Sequence, residues 1–144
     1  HVTYAARFHL EPQSRDSHVF ITALALRTAA GSWHELREAS AARHQESIDD
    51  FVRFYESLIG AYGYRVRTPF RMVDFAETMA ALGEGFAVRA AEGLEHPMVP
   101  IADEDEAPTG HWTLFGIATR GLVDLFFTPD EKRSGPGRDE PPHR

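Results

Sequence analysis

The side chains best suited to chemistry in this chain are histidines and carboxylates, and their spacing decides what they can do. His34 and Glu35 open the run H-E-L-R-E. A zinc protease needs a second histidine one helical turn on, but Glu38 stands there, so His34 and Glu38 are expected to form an ordinary surface pair. No helical block carries the E-x-x-H pair of a di-iron bundle. Ser47, His44 and Asp50 are the types a hydrolytic triad uses, yet nothing places the serine on the strained turn that exposes such a nucleophile. The run Asp103-Glu104-Asp105-Glu106 lacks the alternation and glycine turn of a calcium loop and reads as a solvated acidic loop. With no cysteine in the chain there is no thiolate metal site and no thiol nucleophile. The expectation is no enzyme, no metal and no cofactor.

The 144 residues are 42% hydrophobic and 26% charged, which suits one domain with a single sizeable core. A formal charge of −7, with the basic residues scattered, argues against this chain gripping nucleic acid by itself. The one internal candidate for a helix-turn-helix, FAETMAALGEGFAVRAA, offers only Arg89 to phosphate or base. No apolar run reaches membrane-spanning length and the first residues do not form a signal peptide, so no membrane contact is expected. The lack of cysteine fits a cytoplasmic setting. The chain opens on His1 rather than a methionine and reads as a piece of something longer.

These residues must be carried on helices. HVTYAARFHL at 1–10 looks like the last turns of one. Asp16 can cap a second, SHVFITALALRTAA, apolar nearly all round and therefore expected to be buried, with Gly31 as its stop. Ser32-Trp33-His34-Glu35 has the pattern of a capping box for a long helix ending near Gly60 or Gly63. Thr68-Pro69 supplies an N-cap and first-turn proline for the next, which runs to Gly93. That helix carries a bulky stripe, Met72, Phe75, Met79, Leu82 and Phe86, beside a small one, Ala76, Ala80, Gly83, Ala87 and Ala90. Two glycines inside a helix, Gly83 and Gly85, each cost about 1 kcal/mol relative to alanine, and close approach of a neighbour would offset that. A last, largely apolar helix, HWTLFGIATRGLVDLFFT, starts near Thr109 and ends at Thr128-Pro129. Residues 1–127 are expected to form the domain and 128–144 a flexible tail.

The order of a long helix with H-E-L-R-E, a glycine-containing turn, a helix reading MVDFAETMAALGEGFAVR, a loop and a last hydrophobic helix resembles the C-terminal regulatory domain of TetR-family transcriptional regulators. The resemblance covers residues 16–127, and Leu82-Gly83-Glu84-Gly85-Phe86 is its strongest element. It implies an all-α, antiparallel helical bundle that binds a hydrophobic or aromatic small-molecule effector. It also implies a homodimer in which helices 69–92 and 109–127 join their copies in a four-helix bundle. DNA would be met only through a helix-turn-helix that this chain does not contain.

On that footing the dimer contacts are expected at Val73, Ala76, Ala80, Gly83, Ala87, Phe115, Ala118 and Leu122. The effector wall is expected at Phe51, Phe54, Tyr55, Phe75 and Met79, with His18, Trp33 or His44 as polar handles. Two alternatives stay open: a helical dimerisation module without a ligand, and a metal-binding helical-bundle enzyme. A void among Phe51, Tyr55, Phe75 and Met79 would favour effector binding, and a filled core the dimerisation module.

Overall fold

A computed structural model describes residues 15–94, 96–100 and 111–131; for residues 15–18 and Ala30 it describes the backbone alone. The helix expected at 1–10, the acidic run 103–106 and the tail beyond residue 131 lie outside the described residues.

The chain is mostly helical. Helix α1 is Arg15–Ala29, followed by a single 3-10 turn at Ala30–Ser32 and by α2 at His34–Ala61. Strand β1 is Tyr64–Val66, α3 is Met72–Ala91, β2 is Val99–Pro100, β3 is His111–Trp112, α4 is Leu114–Phe126 and β4 is Phe127–Pro129. The strands qualify the all-α expectation: β1 pairs antiparallel with β4 in the register Val66↔Phe127, and β2 with β3 in the register Val99↔Trp112.

Helix starts differ from those read in the sequence, each for a local reason. Ser32 is taken up by the 3-10 turn, so Trp33 stands at the N-cap of α2 and no side chain caps that end. Residues 67–70 form a turn in which Phe70 N–H donates to Arg67 O (2.9 Å), and the Thr68–Pro69 peptide is cis. Helix α3 therefore starts later, capped by Asp74: its Oδ2 accepts from the Arg71 N–H (2.8 Å) and its Oδ1 from the Arg71 guanidinium (2.8 Å). Helix α4 starts after Thr113, whose hydroxyl accepts from Gly116 N–H (3.0 Å). His111 and Trp112, expected in that helix, lie in β3, where Trp112 is buried beneath the Arg120 guanidinium (5.3 Å).

Thr128 to Asp130, expected in the tail, belong to the fold. Gly63 ends α2 with φ 71°, a conformation that favours glycine, and turns the chain into β1. There Arg67 N–H donates to Phe126 O (2.7 Å), Asp130 N–H donates to Gly63 O (2.8 Å), and the Arg67 guanidinium donates to Phe127 O (3.1 Å). The end of α4 is thereby tied to the link between α2 and α3.

The core is aromatic. Met72, Phe75, Phe126 and Phe127 form its buried centre, with Tyr55, Phe70, Met79, Leu122 and Val123 packed around them. Phe75 meets Phe126 (5.5 Å between centroids) at one end of the α3–α4 pair, and Phe86 meets Phe115 (5.5 Å) at the other, so the two helices run antiparallel. Helix α1 is not buried as its composition suggested: Val19 is 63% exposed and Leu26 56%. The described residues cover it on one side, where Arg27 pairs with Glu84 of α3 (2.7 Å).

Candidate functional site

Tyr55 projects from α2 onto Phe75 of α3, edge to face at 5.0 Å, and Phe75 in turn meets Phe127 at 4.7 Å. Met79 packs against the same cluster. These three expected wall residues come together, but the space between Tyr55 and Phe75 is taken by their own contact. Phe51 and Phe54 flank Tyr55 (6.2 and 5.4 Å) and are 45% and 58% exposed, forming an open aromatic rim. Burial pushes the Tyr55 phenol above its ordinary value, which keeps it neutral.

Of the expected polar handles, His44 and Trp33 do not converge on that rim. His44 Nε2 lies 3.1 Å from Glu77 Oε2, which ties α2 to α3. Trp33 is exposed at the start of α2, about 27 Å along the helix from Phe51. His18 stands on α1 with its side chain outside the described residues. His34 Nδ1 lies 3.4 Å from Glu38 on an exposed face, the surface pair that the spacing implied.

The expected dimer stripe on α3 faces inward. Ala76 is fully buried, so it presents no surface to a partner. Glu77 and Glu84, which border the stripe, are held by His44 of α2 and Arg27 of α1. Val73, Ala80, Gly83 and Ala87 lie on that same side, toward α1 and α2. On α4, Phe115 contacts Phe86 and Leu122 packs on the core, so both also point inward. Ala118 differs, for it lies on the outer side with Leu114, Ile117, Gly121 and Leu125. Gly121 is exposed and Leu125 is 52% exposed.

The outer side of α3 completes this surface with Ala81 and Gly85, both exposed. A Cβ added at Gly83, Gly85 or Gly121 would find nothing within 4 Å. Close approach within the chain is therefore not what these glycines allow, and at Gly85 and Gly121 the space opens outward. Between the helices runs an open, mainly apolar groove of about 340 Å³, lined by Ala81, Leu82, Gly85, Phe86, Arg89 and Leu114, with His96 at its edge. The His96 ring packs on Phe86 (4.9 Å), and its buried Nε2 has no hydrogen-bond partner among the described residues.

The sequence singled out Gly85 for close approach, but its pattern did not pick out Leu114, Gly121, Leu125 and Ala81 as sharing that side. The steps of three and four that join them were visible, but α4 is apolar on most sides, so periodicity alone did not say which side faces inward.

Among the described residues no three histidines or carboxylates gather as a metal site. Among the same residues no helix is long and apolar enough to cross a membrane. Compared with protein-family models, with curated proteins and with solved structures, the chain matches none.

Proposed function

We propose that this chain is the regulatory and dimerisation domain of a TetR-like transcriptional regulator, with DNA contact supplied by a helix-turn-helix outside it. The observation that carries this reading is the outer face of α3 and α4. Leu114, Ala118, Gly121 and Leu125 on one helix and Ala81 and Gly85 on the other share one side of the pair, where Gly121, Leu125, Ala81 and Gly85 are exposed. A second copy covering it would build a four-helix bundle. The net charge of −7 fits a chain that leaves DNA binding to another domain. Light scattering across a concentration series tests the reading: the chain should weigh twice its 16.2 kDa. A single-chain mass throughout would refute it.

Sensing of an aromatic or hydrophobic effector is the second part of the proposal. It is favoured by the exposed rings of Phe51 and Phe54 beside Tyr55. Because Tyr55 and Phe75 fill the space between them, an effector would lie on this rim or part the two rings. A ligand that binds two arrangements of the dimer unequally would then shift the spacing of attached DNA-binding domains.

A further inference from the structure

The outer side of α4 reads Leu114, Ala118, Gly121, Leu125, in steps of four, three and four. Large, small, small, large in those steps is the same pattern in either direction. Such a face matches a copy of itself that runs antiparallel, which is what a two-fold axis crossing the face produces. The axis would pass level with the peptide between Thr119 and Arg120. Ala118 then meets the partner's Gly121, and Leu114 meets the partner's Leu125.

Helix α3 adds a charge complementarity about the same level, and this is an independent observation. Phe75 with Phe126 and Phe86 with Phe115, each at 5.5 Å, fix the level of α3 against α4. The spacing between the two contacts is equal on the two helices, so they run in step. The midpoint of the α4 stripe falls on α3 between Ala81 and Leu82. At equal separations from that point stand Thr78 and Gly85, and further out Asp74 and Arg89. An antiparallel copy of α3 thus brings a cation to an anion at both ends. Arg89 is exposed and forms no ion pair among the described residues. The Asp74 carboxylate holds Arg71 (2.8 Å), and its oxygens can accept a second guanidinium.

We propose that the chain forms a two-fold dimer in which α4 pairs antiparallel with the partner's α4 about Ala118 and Gly121, the partner's Leu125 enters the groove beside Leu114, and Arg89 reaches the partner's Asp74. This rests on the regulatory-domain reading only for the claim that copies meet on this face. Orientation, register and the charge pair are added to it. Gly85 suits its place, because a side chain there would project into the groove that receives Leu125.

The absence of native cysteine makes single-cysteine variants unambiguous. Leu114→Cys and Leu125→Cys variants of the 144-residue chain, mixed and treated with a short bismaleimide, should cross-link to each other. Each alone should cross-link poorly, since like positions would sit about 16 Å apart along the helix axis. Arg89→Glu should raise the dimer dissociation constant by roughly tenfold with helicity unchanged, because attraction at two symmetric sites becomes repulsion. A dimer in which Leu114→Cys links to itself would overturn the antiparallel register and leave dimerisation through this face standing. A dimer with no cross-link at either position would place the interface elsewhere. A monomer at every concentration would overturn the parent reading as well.

Discussion

Tyr55 and Phe75 meet edge to face, with centroids 5.0 Å apart and planes at 76°, and through this contact the long α2 is fastened to the centre of the core. Phe75 is 3% exposed and touches two further rings, so Phe75→Ala should cost about 3–5 kcal/mol. Tyr55 is only half-buried, so Tyr55→Ala should cost about 2 kcal/mol, and Tyr55→Phe, which keeps the ring, under about 0.5 kcal/mol. Urea unfolding with an unchanged m-value checks all three.

Much of the helix order was legible because glycine, proline and apolar spacing punctuate the chain clearly. Gly63 and Gly93 both mark helix ends and both have positive φ. Helix starts were less legible. Thr68-Pro69 has the composition of an N-terminus, yet the cap three residues on is made by Asp74 reaching back to Arg71, a bond that competes with it. The packing of Tyr55, Phe75 and Met79 was legible as a cluster, since the three do meet, but whether they leave a cavity was not, because periodicity says which side chains face each other and not whether space remains between them. The small stripe at Ala76 and Ala80, expected against a partner, lies instead on an inward side of α3. What packs there is the chain's own α1 and α2.

Stability should respond to pH through Asp74. The side-chain bond from Arg71, and then its backbone N–H, hold the Asp74 carboxyl below its ordinary range. A carboxylate lowered in the folded state stabilises it above the ordinary carboxylate value, and this contribution is lost as pH falls through the lowered one. Asp74→Asn should therefore lower the Tm at neutral pH and leave it little changed at strongly acidic pH. Thermal melts across that range, on a monomeric variant such as Gly121→Glu, keep dimer contacts out of the comparison.

The attachment of α1 should depend on Arg27 and Glu84. Their pair at 2.7 Å is partly exposed, which limits its worth to about 1 kcal/mol. Glu84→Gln should speed amide exchange across α1 by up to about fivefold while the α3–α4 core exchanges as before. Equal acceleration in both would mean that the pair supports the whole fold and not the docking of one helix.

An aromatic effector that binds the rim should raise the Tm by mass action, because only the folded chain offers the rings of Phe51, Phe54 and Tyr55 together. Phe51→Ala and Tyr55→Ala should weaken that effector by about 1–3 kcal/mol. Comparing ligand-induced shifts within each variant separates this loss from the lower baseline that a packing role produces. If Phe51→Ala, Tyr55→Ala and Met79→Ala all keep the full shift, the effector binds elsewhere.

Whether a second copy covers the outer face of α3 and α4 is decided by sedimentation velocity on three proteins side by side. The unmutated chain should sediment as a dimer. Gly121→Glu, which would bury a charge at the centre of the contact, should sediment as a monomer, its dimer weakened by at least about a hundredfold. Gly83→Leu, on the side toward α1 and α2, should remain dimeric. A monomeric unmutated chain, or a dimer lost with Gly83→Leu and kept with Gly121→Glu, would mean that copies do not meet on this face.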